Sequence, residues 1–222
     1  MRIRHLKNIL FCSLVLVLFS PLALAATAPS FTADLDYKIL PQQAPTTNTQ
    51  TKNAPVEVIE FFSYGCPGCF AFEPYLEKWV KSKNAKQVTF RRVPVVFHPQ
   101  WEPLAKAYYI ANGFGIAEKI TPDLFNTLQV QHINLMDTDN LAKVFQKYGI
   151  SQKDFNNAFS SSPTVDAQLK QGNELMTRFQ INLIPAVVVQ QKYLTNMEMA
   201  QNDPRTFTQI MDFLVNKELV SK

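Results

Sequence analysis

The sequence holds two closely spaced cysteines, Cys66 and Cys69, in the segment FFSYGCPGCF. Cys66 stands at the expected start of a helix, where unpaired backbone N–H groups and the helix dipole favour negative charge. A thiol placed there loses its proton readily, and the thiolate is the form that attacks disulfides. Cys69 follows on the same side of the first turn, so the two can close a disulfide with little backbone movement. The spacing therefore predicts two-electron exchange through a mixed disulfide.

Three other uses of such a cysteine pair compete with redox exchange. A zinc site needs a second pair of ligands, but His98 and His132 lie far apart in the sequence and are expected at the surface. A c-type haem needs a histidine after the second cysteine, where Phe70 stands. An inert structural disulfide stays open, although it would close a very short loop and stabilise the fold little. The redox interpretation needs no metal, and its only cofactor is the Cys66–Cys69 disulfide itself.

The cysteine pair lies between two predicted strands. Residues 56–62 (VEVIEFF) are β-branched and aromatic, which predicts a buried strand that leads through a short turn into Cys66. From there apolar residues recur at helical spacing over roughly 66–82, and Pro74 inside that span predicts a kink. A second strand is predicted at 88–93. Residues 56–99 thus form a strand–helix–strand unit.

The rest of the chain predicts a helical block followed by a second sheet unit. Residues 100–180 carry apolar stripes at helical spacing. In residues 181–222, a continuous apolar strand follows Ile184-Pro185, an antiparallel partner strand begins near Tyr193, and a last helix completes the unit. The predicted fold class is α/β, a mixed central sheet flanked by helices and interrupted by an inserted helical domain.

The N-terminus predicts export. Residues 1–25 combine a basic start, an apolar run and the segment Ala23-Leu24-Ala25, which predicts a signal peptide cut after Ala25. The apolar run, ~11 residues, is shorter than the ~20 that a membrane span needs, and an uncleaved anchor is the alternative. Cleavage removes Cys12, so the mature chain keeps one cysteine pair in an oxidising compartment. Residues 26–55 are expected to form an extension with a short edge strand and a polar linker.

Composition excludes several other classes of protein. The chain has 222 residues, 46% of them hydrophobic and 18% charged, which supplies a sizeable core and argues against disorder. The formal net charge is +4, but residues 1–25 carry three basic residues and no acidic one. The 22 Lys and Arg, less those three, stand against 18 Asp and Glu, a net charge of about +1. A near-neutral mature chain without a basic cluster argues against nucleic acid as a partner.

Two further residues have chemistry that depends on their position. Glu60 lies between apolar neighbours on a strand that should be central, so its carboxyl would be poorly solvated, with a raised pKa suited to proton transfer with Cys69. The alternative is that Glu60 points to an edge or to solvent. Pro185 is either the first residue of an ordinary strand or the site of a cis peptide bond packed beside the disulfide.

The segment from Val58 to Cys69 resembles the active-site segment of the DsbA family of periplasmic thiol oxidases. The resemblance continues through Phe70-Ala71-Phe72-Glu73, resumes at Ile184-Pro185-Ala186, and covers about residues 55–220. It implies a thioredoxin fold with an inserted helical domain. It also implies that the activity is thiol–disulfide oxidoreduction.

The resemblance implies roles for individual residues. Cys66 would be the nucleophile, exposed to substrate, and Cys69 the buried resolving thiol. Glu60 would be the buried proton-handling acid. Pro185 would be a cis-proline, and Ile184 the neighbour that contacts the substrate backbone.

The residues around the cysteines complete the predicted site. Pro67 and Gly68 would support the cysteines, and Tyr64 and Phe70 would help to form a peptide-binding groove. The family's well-known motif has histidine where Gly68 stands, and a histidine gives the thiolate a donor and partial positive charge. The sequence therefore predicts a weaker oxidant than the histidine-containing type, with a higher Cys66 pKa.

The expected partners are unfolded or newly exported polypeptides that contain cysteines. Reoxidation would come from a DsbB-like, quinone-linked membrane protein, and a periplasmic monomer is expected. One alternative keeps the fold and makes the protein a reductase or isomerase, although an isomerase would gain from a dimerisation module that residues 26–55 are too short to supply. The other is a chaperone-like binding module with an inert disulfide.

Overall fold

The structure of the chain is a computed structural model that describes residues 30–41 and 54–221. The predicted signal peptide and most of the predicted polar linker lie outside these residues. Within the described ranges, no helix is both long enough and apolar enough to cross a membrane.

A five-stranded mixed sheet forms the centre of the molecule. Its strands are β1 (Lys38–Ile39), β2 (Val56–Phe62), β3 (Val88–Pro94), β4 (Ala186–Val189) and β5 (Tyr193–Asn196). The strand order is β1-β5-β4-β2-β3, in which β2 and β3 run parallel and the other neighbours are antiparallel. The prediction that the strand before the cysteines is buried and internal is confirmed, because β2 lies between β3 and β4.

The described ranges contain seven helices. They are α1 (Pro67–Lys81), α2 (Glu102–Gly113), α3 (Ala117–Phe125), α4 (Thr138–Gln146), α5 (Gln152–Ser161), α6 (Pro163–Arg178) and α7 (Pro204–Val220). A 3₁₀ turn at Pro99–Trp101 precedes α2, and a π-helical turn at Asn126–Val130 follows α3. Ser151, Ser162 and Asp203 accept backbone N–H bonds at the starts of α5, α6 and α7. These side chains explain why the helices begin there.

Each face of the sheet has its own apolar core. On one face α1 packs against α7, where the rings of Phe72 and Phe207 stack with their centroids 4.5 Å apart. Alternate residues of β2, Ile59 and Phe61, contribute to the core on the other face. A third cluster fills the helical insertion and also contains Cys66 and other residues from the start of α1. The cysteine pair therefore lies where the insertion meets the sheet unit.

Candidate functional site

Cys66 is the N-cap residue of α1, as the sequence predicts. Its backbone is extended, with φ −95° and ψ 113°, and Pro67 follows as the first helical residue. The Cys66 Sγ accepts a hydrogen bond from the backbone N–H of Cys69, with N and Sγ 3.2 Å apart. The helix start therefore directs a backbone donor at the sulfur, and a thiolate there is stabilised more than a neutral thiol.

The two cysteines, both free thiols, have pKa values shifted in opposite directions. The hydrogen bond from the Cys69 thiol, helped by the backbone N–H groups of Cys69 and Gly68, lowers the pKa of Cys66 against the effect of its partial burial. Burial, and then the hydrogen bond to Cys66, raises the pKa of Cys69 well above its ordinary value. Cys66 therefore loses its proton more readily than Cys69 does.

The prediction from the sequence that Cys66 is exposed is wrong. Cys66 is 7% exposed and Cys69 is 0% exposed. The loop before β4 lies close to the sulfur, because the carbonyl oxygen of Ile184 is 3.7 Å from the Cys66 Sγ. The Ile184–Pro185 loop therefore borders the sulfur.

Pro185 lies beside the cysteines, and the Ile184–Pro185 peptide bond is cis. The prediction of a cis bond at this position is confirmed. A Cβ placed on Gly68 would lie 3.4 Å from the Pro185 Cδ and 3.8 Å from the Cys66 Sγ. Gly68, Pro185 and Cys66 thus meet in one place, while Ile184 is half-buried and keeps part of its surface accessible.

Glu60 is buried at 1% exposure, so the alternative that it points to solvent is wrong. The Nε of Arg92 lies 2.9 Å from its Oε2, but in the described structure this oxygen makes no well-aligned hydrogen bond, so the contact is an ion pair when Glu60 is ionised. Burial raises the pKa of Glu60 to about 8, and Arg92 opposes that rise. The carboxyl also acts on the cysteines, because its charge contributes to the raised pKa of Cys69. Glu60 thus has the poor solvation expected from the sequence.

Arg92 and Glu73 complete this cluster, and neither was predicted to have a role in the site. The Arg92 Nη2 donates to both carboxylate oxygens of Glu73, at 2.8 and 2.9 Å. Arg92 lies directly opposite Glu60 in the parallel pairing of β2 with β3. That register depends on how the two strands align, and no local pattern in the sequence reveals it.

The predicted groove role of Tyr64 is wrong. Tyr64 is 1% exposed, and its hydroxyl hydrogen-bonds to the Thr121 hydroxyl at 2.9 Å. Its ring centroid lies 5.0 Å from that of Phe125, because α3 of the insertion folds over the turn before the cysteines. Phe70 is half-buried and its ring centroid lies 5.9 Å from that of Phe125, so only part of its ring is available to a ligand.

Two residues of the insertion contact the same turn and were also missed. The Gln129 Nε2 donates to the Tyr64 carbonyl oxygen at 2.7 Å. The Trp101 indole covers Gly65 so closely that a Cβ on this glycine would lie 2.9 Å from the ring. Both contacts join distant parts of the chain, so spacing in the sequence gives no signal for them.

In the described structure, the two histidines outside the predicted signal peptide belong to no cluster of side chains that could hold a metal ion. His98 and His132 are exposed, as predicted, and His98 packs edge-on against Trp101 with ring centroids 5.4 Å apart. Across residues 30–41 and 54–221, no group of three or more His, Cys, Asp or Glu side chains is placed to hold a metal ion.

The fold and the site together define a class of protein. A mixed sheet carries a Cys-x-x-Cys pair at the start of its first helix, a cis-proline faces the pair, and a helical domain is inserted between the two sheet units. These are the features of a thioredoxin fold with a dithiol arranged for disulfide exchange.

Comparison with known proteins gives the family. The model of the DSBA-like thioredoxin domain matches residues 57–211, and the chain belongs to this family. It is 36% identical over 209 residues to a thiol:disulfide interchange protein DsbA from Burkholderia cepacia, covering 94% of this chain and 96% of that one. A DsbA from Pseudomonas syringae is 31% identical over 163 residues, covering 73% of this chain and 75% of that one.

Solved structures agree with this assignment. The crystal structure of Pseudomonas aeruginosa DsbA superposes with a TM-score of 0.77 at 25% identity, covering 86% of this chain and 96% of that one. The oxidoreductase DsbA from Xylella fastidiosa gives a TM-score of 0.73 at 26% identity, covering 82% of this chain and 95% of that one. The predicted thioredoxin fold with a helical insertion is confirmed.

Proposed function

We propose that this chain is a thiol:disulfide interchange protein that donates its Cys66–Cys69 disulfide to exported polypeptides during oxidative folding. The observation that carries the proposal is the opposite shift of the two cysteine pKa values. A thiolate that is stable on Cys66 favours the dithiol form of the protein over its disulfide form. A protein with a stable dithiol gives its disulfide away readily.

The first step converts the disulfide of the protein into a mixed disulfide between Cys66 and the substrate. A substrate thiolate attacks the Cys66 sulfur beside the Ile184–Pro185 loop, a bond forms between the substrate sulfur and Cys66, and the Cys66–Cys69 bond breaks. Cys69 leaves with the electron pair and takes up a proton, because its burial makes the thiolate unfavourable.

The second step releases the oxidised substrate. A second substrate thiolate attacks the substrate sulfur of the mixed disulfide, a disulfide forms within the substrate, and the bond to Cys66 breaks. Cys66 leaves as a thiolate, which its hydrogen bonds at the start of α1 stabilise. Two electrons have then passed from the substrate to the protein.

Glu60 is proposed to carry the proton for Cys69. Its pKa of about 8 lets the carboxyl both hold and release a proton near neutral pH. A carboxyl with an ordinary pKa would hold a proton at that pH only rarely, so the buried environment of Glu60 suits the task.

The proposed setting follows from the leader and from the relatives. The mature chain would act in the periplasm after cleavage behind Ala25, with unfolded or newly exported cysteine-containing polypeptides as substrates. A DsbB-like, quinone-linked membrane protein would reoxidise it. The relatives that support this setting are named thiol:disulfide interchange protein DsbA.

The reduction potential of the mature protein in glutathione buffers tests the direction of transfer. We expect a value well above about −270 mV, the level of thioredoxin, and fast oxidation of a reduced, unfolded test protein. Cys66→Ser is the control and must abolish both the redox equilibrium and the transfer. A potential near or below that of thioredoxin contradicts the oxidase direction and favours a reductase.

A further inference from the structure

The turn before Cys66 is held mainly by hydrogen bonds to its backbone. The Cys66 N–H donates to the Ser63 carbonyl oxygen at 3.0 Å, and the Gly65 N–H donates to the Ser63 Oγ at 3.1 Å. The next carbonyl, that of Tyr64, belongs to a residue that is 1% exposed, so water has little access to this turn. A buried carbonyl group needs a partner within the protein.

That partner comes from the helical insertion. The Gln129 Nε2 donates to the Tyr64 carbonyl oxygen at 2.7 Å, and the two residues are 65 positions apart in the chain. Gln129 lies in the π-helical turn Asn126–Val130, where the Gln131 N–H donates to the Asn126 carbonyl oxygen at 3.0 Å. A π-helical turn adds a residue to the helix and changes the direction of the side chains in it, and such turns are frequent at functional sites.

We propose that Gln129 is a positioning residue for disulfide exchange: its amide holds the Tyr64 carbonyl, and through it the turn before Cys66, so that the Cys66 sulfur stays at the first backbone donors of α1. This inference rests on the proposed exchange function and adds a residue to the same site. Gln129 acts through the backbone between Tyr64 and Cys66 and needs no contact with the sulfur.

The insertion also contacts Tyr64 in a second way, which supplies a contrast. The Thr121 hydroxyl bonds to the hydroxyl at the tip of the Tyr64 ring, at 2.9 Å. Loss of that bond disturbs side-chain packing but leaves the Tyr64 carbonyl held. Loss of the Gln129 bond frees the carbonyl, so the peptide between Tyr64 and Gly65 can rotate and the Cys66 sulfur is held less well at the Cys69 N–H.

Substitution of Gln129 tests the proposal through the thiol itself. Gln129→Met keeps the length of the side chain and removes its donor, and Gln131→Met is the matched control at an exposed position two residues away. We expect Gln129→Met to raise the Cys66 pKa, measured by thiolate absorbance, by about 0.5, a roughly threefold loss in the ionisation constant. The glutathione equilibrium should move toward the disulfide form by a similar factor. Gln131→Met should change neither quantity.

Further variants separate an effect on the position of the Cys66 sulfur from an effect on stability, and replace Gln129→Met if that variant does not fold. Thr121→Val should lower the unfolding temperature without changing the Cys66 pKa. If Gln129→Met does not fold, Gln129→Glu keeps both size and polarity and also loses the donor, while Gln131→Glu adds the same charge nearby. Gln129→Glu must then raise the Cys66 pKa more than Gln131→Glu does.

Equal effects at positions 129 and 131, or an unchanged Cys66 pKa in a folded Gln129 variant, overturn the proposal. So does a Thr121→Val variant that shifts the pKa as much as Gln129→Met. The measured quantities are the ionisation of Cys66 and its equilibrium with glutathione, which do not depend on the direction of electron flow in the cell. The positioning role can therefore fail while the proposed function stands, and the reverse also holds.

Discussion

Two regions of the molecule place a basic side chain beside aromatic rings and oxygen atoms. One of these clusters is buried, and the other lies at the surface. Arg92 lies 5.5 Å from the centroid of the Phe62 ring, and its Nε lies 2.9 Å from the Glu60 Oε2. Lys217 lies 5.3 Å from the centroid of Tyr37 and 5.2 Å from that of Tyr193. The side chain of Arg92 is 11% exposed and that of Glu60 is 1% exposed, whereas Lys217 is an exposed residue.

The difference in depth decides what each cluster does. Burial raises the pKa of Glu60 to about 8 even with a guanidinium 2.9 Å away. At the surface, the pKa of Lys217 is raised chiefly by its hydrogen bond with the Tyr37 hydroxyl, and water screens the charges around it. The same types of contact thus give a carboxyl that titrates near neutral pH in the buried region. At the surface, around Lys217, they give only a stabilising contact.

The largest expected effect comes from removing the buried cation. Arg92→Met leaves the carboxylate of Glu73 in a site of low solvation without its partner, and we expect a loss of ~3 kcal/mol in the free energy of unfolding. Urea denaturation at pH 7 measures it. Arg91→Met is the control, because Arg91 pairs with Glu57 at an exposed position and should lose less than about 1 kcal/mol. Equal losses in the two variants would mean that burial does not distinguish them.

The next effect is a dependence of stability on pH that only the buried cluster should show. The folded protein holds a proton on Glu60 up to pH about 8, whereas the unfolded chain releases it near the ordinary carboxyl pKa of 4.5. The unfolded state then binds fewer protons, so this group makes stability fall as pH rises between those values. Glu60→Gln should make the slope of the unfolding free energy against pH shallower by up to about 1.4 kcal/mol per pH unit.

Unfolding measured from pH 4 to pH 9 checks the slope, with Glu57→Gln on the same strand as the control. Glu60→Gln should also slow disulfide exchange at pH 7, since Cys69 loses its proposed proton carrier. If wild type and Glu60→Gln show parallel stability curves, the raised pKa of Glu60 is contradicted.

A third prediction adds a group to the buried region. A Cβ at Gly68 would be in ordinary contact with Pro185 and close to the Cys66 sulfur. Gly68→His should therefore supply a donor to the thiolate and lower the Cys66 pKa by about one unit. Gly68→Ala is the control and should leave the pKa near the wild-type value. A Gly68→His protein with an unchanged pKa would show that the imidazole does not reach the sulfur.

The smallest effect is expected at the surface cluster. Lys217→Met removes the charge from above the rings and should lower the free energy of unfolding by about 0.5 to 1 kcal/mol, with no change in exchange rate. Lys217→Arg keeps the charge and should retain most of that stability. A slower exchange in Lys217→Met would link the two regions and end the contrast between them.

The sequence predicted the features that depend on neighbouring residues. The bounds of β2 and the start of α1 at the cysteines follow from spacing and residue type, which act over a few positions. Glu60 was also predicted to be buried, because its apolar neighbours on one strand reveal its surroundings.

The features that the sequence did not predict arise where distant segments meet. Arg92 faces Glu60 only through the register of two strands, and Gln129 reaches Tyr64 only when the insertion packs over the turn. Tyr64 was assigned to a groove because aromatic residues serve equally in cores and in binding surfaces, and residue type alone does not separate the two.

The two edges of the sheet bear on how this protein coexists with unfolded chains. Strand edges with free N–H and C=O groups recruit other chains, which leads to aggregation. Here β1, only two residues long, covers β5 and is followed closely by Pro41, while β3 presents the exposed Arg91 and ends at Pro94. In the part of the chain that the structure describes, neither edge offers a long, flat, apolar template. The sheet thus gives unfolded chains little opportunity to add a strand at either of its described edges.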